Sequence, residues 1–166
     1  TQVRQLHMWN NLRNMFRVLD LEPSTAPRES TDERDLAPPR PGMTRWIDLV
    51  APDAATLELL RVRFDLDPLA IADCSEFGAV SKLEDFERYL FLVIHAFTSD
   101  PEDEHGIAVH EIHAFLGETF LITVHDNPVP AHDRIWEKAK SDPVVLGRGP
   151  SWALYVSLKA MVDATE

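Results

Sequence analysis

Residues 82–98, KLEDFERYLFLVIHAFT, pass from a polar, amphipathic start into an almost unbroken apolar run between Tyr89 and Ile94. The second half is dominated by Tyr89, Phe91, Val93, Ile94 and Phe97, all residue types that favour strands. A run with no polar face fits a strand covered on both sides; a buried helix segment is the alternative, against which the β-branched and aromatic content argues. Such a strand needs a layer above it and a layer below it, so the chain is expected to place a central sheet between helices.

The flanking segments supply those layers. Residues 44–50, TRWIDLV, read as a strand with Trp46 on one face and Ile47 on the other. Pro52 suits the first turn of a helix, and the helix over residues 53–64 puts Leu57, Leu60 and Phe64 on one stripe. Asp67-Pro68 supplies a cap and a first-turn proline for a short second helix over 69–75. Residues 76–81 form a loop into the central strand. After an acidic turn at 99–106, residues 107–116 and 119–125 read as a hairpin around Gly117-Glu118. A two-residue loop there sets Leu116 opposite Thr119 and, counting back, His110 opposite His125. Asn127-Pro128 is expected to cap a helix to about residue 140, with Ile135, Trp136 and Ala139 buried. Residues 142–149 read as a connector, and Pro150 opens a last helix striped by Leu154, Leu158 and Met161.

The amino-terminal part is less decided. Leu6, Trp9, Leu12, Phe16 and Leu19 stand near helical spacing in residues 1–21, leaving a short amphipathic helix or an irregular strand pair open, with Arg4, Arg13 and Arg17 on a solvated face. Residues 22–42 hold many of the twelve prolines and the charge run RESTDERD, the composition of an exposed, disordered loop.

Bulk properties narrow the function. The chain has 166 residues, enough for one domain with its own core, and a formal net charge of -12, which disfavours polyanionic partners such as nucleic acid or anionic lipid. Its one cysteine, Cys74, excludes an intrachain disulfide, points to a reducing compartment and reads as buried filler. No stretch approaches the ~20 apolar residues of a spanning helix. The four carboxylates at 99–106 match no calcium-loop spacing and read as a solvated hairpin tip. His110 and His125 together offer two imidazoles to zinc, but no further ligand follows at a metal-site spacing, and His110-Glu111-Ile112-His113 on a strand is not the helical His-Glu-x-x-His motif; the histidines read as satisfied structural groups. Asp48, Asp73, Asp85 and Asp126 form no pair that spacing selects for acid–base work, so an enzyme has no positive support. A stand-alone α/β ligand-binding or interaction domain fits these residues as well.

The ordered set of motifs narrows this further. Trp46-Ile47-Asp48-Leu49, then a helix, then Phe64-Asp65-Leu66-Asp67-Pro68-Leu69-Ala70-Ile71-Ala72-Asp73 resembles the CorA family of divalent-cation channels and transporters. Lys82-Leu83-Glu84 with Tyr89-Leu90-Phe91-Leu92-Val93, Phe115-Leu116-Gly117 with Phe120-Leu121-Ile122-Thr123-Val124-His125, and Arg148-Gly149-Pro150 with Leu154-Tyr155 and Met161-Val162-Asp163 are similar to that family's following blocks. The resemblance runs over residues 44–166, in order and with near-identical spacings; residues before 44 carry no match.

The resemblance implies an α/β fold, a mixed β-sheet sandwiched between helical layers. It implies a segment of residues 1–43, an α/β cytoplasmic domain over 44–149, and the start of a long stalk helix at 150–166. It also implies that the membrane helices lie beyond residue 166, in line with a last helix that no Gly, Asn or Pro closes. The expected role is a metal-sensing, non-catalytic domain of a homopentamer at the cytoplasmic face of the membrane, with Mg2+, or Co2+ or Zn2+, as the regulatory or transported ion. Asp73 stands where the family's first sensing aspartate lies. Ala72 and Lys159 replace two other carboxylates associated with sensing, and Gly78-Ala79-Val80-Ser81 replaces the usual Arg/Gln-Pro run. These departures keep the zinc-transporting branch of the same superfamily in view.

Overall fold

The computed structural model describes residues 15–163. Seven strands form one sheet: β1 (Phe16–Leu21), β2 (Arg28–Ser30), β3 (Thr44–Val50), β4 (Lys82–Asp85), β5 (Tyr89–Ser99), β6 (Ile107–Gly117) and β7 (Phe120–His125). Their spatial order is β2-β1-β3-β7-β6-β5-β4. The pair β3–β7 is parallel and every other pair is antiparallel, so the sheet is mixed.

Helices α1 (Ala54–Phe64) and α2 (Pro68–Asp73) lie on one face, where Leu57, Leu60, Phe64, Ala70 and Ile71 pack on Val18, Ile47, Leu49, Phe91, Phe115 and Ile122. Helices α3 (Pro130–Ser141), α4 (Pro143–Gly147) and α5 (Pro150–Asp163) cover the other, with Trp136, Ala139, Leu146, Ala153 and Leu154 against Leu19, Trp46, Ala114 and Leu121. The strand period of two sorts the side chains: in β3, Ile47 and Leu49 face one layer while Trp46 faces the other. The expected sheet between helical layers is what the chain builds. No helix among the described residues is long and apolar enough to cross a membrane.

Local details differ from expectation in instructive ways. The strand at 89–99 lies next to the sheet edge, and the middle is held by β3 and β7. On its α5 side Leu90, Leu92 and Ile94 are only half-buried, so an apolar run was mistaken for two fully covered faces. The β6–β7 turn is Glu118–Thr119, because Leu116 pairs with Leu121. Gly117 stays in the strand, where a Cβ would come within 2.4 Å of the Phe120 ring. This moves the register by two residues, so Ile112, not His110, faces His125; a shift of two changes partners but keeps every side chain on its face. Pro52 precedes the α1 cap, Asp53, and α3 starts at Pro130 behind Val129, with no side-chain cap from Asn127. The connector at 142–149 contains the short helix α4.

In the amino-terminal segment the strand alternative holds for residues 16–21, and the disordered-loop reading of residues 22–42 is corrected. Phe16 and Leu19 belong to strand β1 and point to opposite layers, which no single helical stripe allows. Leu6, Trp9 and Leu12 lie outside the described residues. Within residues 22–42, β2 pairs with β1, a 3₁₀ turn forms at Glu33–Asp35, and Leu36 is buried. Two arginines order this polar stretch by capping its carbonyls. Arg63 Nη1 donates to Glu33 O at 2.7 Å and to Leu36 O at 3.1 Å. Arg45 Nη1 donates to Ala37 O at 2.8 Å.

Arg45 also makes a two-pronged bond to Asp20, with Nε at 2.7 Å and Nη2 at 2.9 Å, and both side chains are buried. Removing one partner of a buried pair leaves the other charge uncompensated, so Arg45→Met is expected to cost about 3–5 kcal/mol, read as a lower urea midpoint at unchanged slope. The double change Arg45→Met with Asp20→Leu is expected to cost less than the single one. A loss under about 1 kcal/mol for Arg45→Met would mean that the pair does not hold the 22–42 segment.

Candidate functional site

Each of three neighbouring strands carries a polar residue on the face that α3 and α5 cover. Arg17 in β1 stands opposite Asp48 in β3, and Asp48 stands opposite Thr123 in β7. Two residues further along β7, His125 falls on the same face. Helix α3 brings down His132 and Asp133 from its first turn, and α5 brings Ser157. All seven side chains are buried.

Asp48 is the hub. Its Oδ2 accepts from Arg17 Nε and Nη2, both at 2.9 Å. Its Oδ1 accepts from Thr123 Oγ1 at 2.6 Å, His132 Nε2 at 2.9 Å and His125 Nε2 at 3.0 Å. Thr123 in turn accepts from Trp46 Nε1 at 3.0 Å. Arg17 also reaches Asp133 Oδ1 at 2.6 Å and lies over the Trp136 ring at 4.5 Å. His132 Nδ1 is bonded to the Ser157 hydroxyl, which joins the cluster to α5.

The charge states follow from the partners. Burial by itself pushes the Asp48 carboxyl up, but His125, His132 and Arg17 outweigh it and hold it well below the usual carboxylate range. His125 Nδ1 faces the Asn127 carbonyl at 2.7 Å while its Nε2 faces Asp48. Both neighbours are acceptors, an environment that favours a ring with hydrogen on both nitrogens. Burial works against that charge, and the Asp48 carboxylate overcomes it, raising the His125 pKa. Asp133 is shifted upward, chiefly by burial, and its Oδ2 has no partner.

Asp48, His125 and His132 bring three ligand atoms within 4.8 Å of one another. Two imidazoles and a carboxylate are a donor set for zinc or a similar metal, not for Mg2+, which takes oxygen ligands and keeps its waters. As the side chains stand, both imidazole Nε2 atoms face the Asp48 carboxylate, which also accepts from Arg17 and Thr123. The cluster binds elements of the fold to one another.

Asp73, the carboxylate singled out by resemblance, lies at the end of α2, in the opposite layer. It is partly exposed and accepts from Lys82 Nζ at 2.6 Å; the same ammonium lies 3.0 Å from Glu84. Asp73 therefore offers one carboxylate oxygen pair, with an ammonium group already against it. The other carboxylates named from sequence do not join it. Asp85 caps Glu87 N–H at 2.8 Å, and Asp126 is exposed.

Other candidates take structural roles. His110 is bonded to Thr98, and Glu111 on the opposite face is bonded to His113, His95 and the Gly78 N–H. The Cys74 thiol is buried, and burial pushes its pKa up, so it is no nucleophile. In the acidic turn Asp100 and Asp103 bond backbone N–H groups of the turn itself. Arg17, expected on a solvated face, is 2% exposed, and Arg4 and Arg13 lie outside the described residues. Asp48 and His125 were each visible in the sequence, but not as partners, and His132 was missed. One signal was available: Arg17, Asp48 and His125 are polar residues inside apolar strand runs, and such residues must find one another.

Comparison with known proteins agrees with the fold. The family model of the CorA-like Mg2+ transporter protein matches residues 42–166. The putative metal ion transporter YfjQ of Bacillus subtilis is 31% identical over 118 residues, which is 71% of this chain and 35% of that protein. Among solved structures, full-length CmaX superposes with a TM-score of 0.71 at 15% identity, covering 90% of this chain and 46% of that one. The complete CorA magnesium transporter of Methanocaldococcus jannaschii gives 0.68 at 16%, covering 89% and 44%. The chain thus spans about a third of the length of YfjQ.

Asp48→Ala removes the acceptor that compensates Arg17 and His125. It is expected to cost about 3–5 kcal/mol of stability in urea unfolding near neutral pH. Asp48→Asn, which keeps the shape and one acceptor, is expected to cost less. Equal stability of Asp48→Ala and the parent chain would remove the hub role.

Proposed function

The chain belongs to the CorA-like Mg2+ transporter family, and from that premise we propose that it is the cytoplasmic, metal-sensing domain of a divalent-cation transporter. The observation that carries the reading is the family match over residues 42–166, on a chain that folds as a mixed sheet between helical layers. In this reading residues 44–149, with β1 and β2 in the same sheet, form the domain body, and residues 150–166 begin a stalk. The membrane-spanning part belongs to the length of the transporter that this chain does not cover. The full assembly is a homopentamer, and the ion is Mg2+, with Co2+ and Zn2+ as the competitors to be tested against it.

Asp73 is proposed as the sensing carboxylate. Carboxylates from neighbouring subunits repel one another without metal, and a divalent ion between them stabilises one arrangement of subunits, so ion concentration biases a two-state assembly. Mg2+ keeps most of its waters, so a site of this kind needs few protein ligands. Lys82 sets the terms of binding, since its ammonium lies 2.6 Å from Asp73 and a cation must exchange with it. The site is therefore suited to ion concentrations high enough to compete with a tethered charge.

The test is ion flux by the full-length protein in vesicles, with Mg2+, Co2+ and Zn2+ titrated on the domain side. Asp73→Ala is expected to move the inhibiting Mg2+ concentration up by about tenfold, the equivalent of ~1.4 kcal/mol of lost ligand energy. An unchanged inhibition curve for Asp73→Ala would discard Asp73 as a sensor ligand. Absence of flux for all three ions would discard the transporter reading itself.

A further inference from the structure

Asp48, His125 and His132 reach one point from β3, the end of β7 and the first turn of α3. Their exposures are 0%, 1% and 1%. Nε2 of His132 lies 2.9 Å and Nε2 of His125 lies 3.0 Å from the same oxygen, Asp48 Oδ1. All three ligand atoms fall within 4.8 Å of one another. In a tetrahedral zinc site, bonds of about 2.1 Å set neighbouring ligand atoms about 3.3 Å apart. The two oxygen–nitrogen separations therefore need to open by only a few tenths of an ångström to admit an ion.

The groups behind these atoms are placed as a metal site requires. A metal-bound imidazole donates its other ring nitrogen to an acceptor, which fixes both its tautomer and its plane. His125 Nδ1 donates to the Asn127 carbonyl at 2.7 Å, so a hydrogen belongs there and Nε2 is the nitrogen turned inward. His132 Nδ1 is bonded to the buried Ser157 hydroxyl, and its Nε2 is likewise turned to Asp48. The rings meet edge to face at 5.2 Å, and His132 meets Trp46 in the same manner at 5.5 Å, which holds their planes. A ligating carboxylate is itself hydrogen-bonded. Arg17 holds Asp48 Oδ2 at 2.9 Å and leaves Oδ1 as the ligand oxygen. The Arg17 charge opposes a nearby cation, and Asp133 offsets it at 2.6 Å.

We propose that Asp48, His125 and His132 form a buried zinc site, with Oδ1 and the two Nε2 atoms as ligands. The fourth position falls to a water beside the Thr123 hydroxyl, which lies 2.6 Å from the same carboxylate oxygen. Two imidazoles and a carboxylate also serve iron, but such iron sites keep several positions open to oxygen and substrate. Here no ligand reaches the surface, so the site is neither that of an oxygenase nor that of a hydrolase. Burial also separates this ion from the sensing role. It is taken up as the chain folds and stays with the domain, on the side of the sheet away from Asp73. The site does not depend on the transporter reading.

The experiment is performed on the full chain, produced with zinc in the medium and without a metal-affinity tag. Metal content is measured as purified, affinity by calorimetric titration after chelation, and the ligands by X-ray absorption. One Zn2+ per chain is expected, bound with a Kd below about 1 μM and not displaced by a large excess of Mg2+. The absorption spectrum is expected to show two imidazoles with oxygen ligands and no sulfur. His132→Gln is expected to weaken binding by more than about hundredfold, and Ser157→Ala, which loosens only the support of that ring, by about tenfold. A chain that neither retains nor binds zinc would overturn the site. So would an all-oxygen shell, displacement by Mg2+, or parental affinity in His132→Gln, which would put the ion on exposed groups such as His105. If His132→Gln does not fold, the absorption spectrum of the parent chain decides. Ion flux by the transporter bears on none of these readouts, so failure of one reading is distinguishable from failure of the other.

Discussion

A carboxylate with no access to water must be surrounded by donors or it does not stay ionised, and Asp48 sits in the middle of this sheet under that constraint. Desolvation of one such ion costs several kcal/mol, and only a complete set of partners offsets it. The partners come from three other elements. Arg17 needs β1 beside β3, Thr123 and His125 need β7 parallel to β3 in its observed register, and His132 needs the first turn of α3 over the strands. Ser157 adds α5 through His132. An apolar core tolerates some sliding of its layers, whereas this cluster is satisfied in one arrangement of them. Its contribution is therefore to the uniqueness of the α3–α5 layer more than to the size of the folding free energy.

The two aspartates that matter most differ in one physical respect, access to water. Asp48 is sealed beneath a helical layer with an arginine, a threonine hydroxyl and two imidazoles against it. Asp73 is at a helix end, part exposed, with a flexible lysine against it. A site that answers to an ion in solution has to exchange its counter-charge with the solvent, and of the two only Asp73 can. Asp48 and Asp73 lie on different sides of the sheet, so the two can be perturbed separately.

The candidate site was only half legible in the sequence. Asp48 in TRWIDLV and His125 in FLITVH are polar residues embedded in apolar runs, which marks each as a group in need of a buried partner. Which partner was not readable, because strand pairing over 75 or more residues is not a local property. The hairpin shows how small an error suffices. Placing the turn at Gly117-Glu118 shifted the register by two and set His110 against His125, whereas Leu116 pairs with Leu121 and Gly117 lies in the strand against the Phe120 ring. His132 gave less sign still, since a histidine in the first turn of an amphipathic helix is ordinary on an exposed face and becomes a cluster member only once α3 docks.

By itself the sequence determined the class of fold and most of its elements, because those rest on short-range patterns. The strand period in 44–50, the Asp67-Pro68 cap of α2 and the apolar stripe of α1 are each set within a dozen residues. The ordered blocks from residue 44 onward carried the family in the same way. Tertiary structure decided the rest. It drew β2 into the sheet from a segment whose composition reads as disordered, and chose strand over helix for β1, with Arg45 closing on Asp20 and Arg63 on the Leu36 carbonyl. It also turned Arg17 from a surface charge into the counter-ion of Asp48. Both outcomes have the same physical origin. The free energy of a charged side chain depends on which opposite charge the folded chain brings within about 3 Å and on how much water it removes, and neither quantity is encoded in the neighbouring residues.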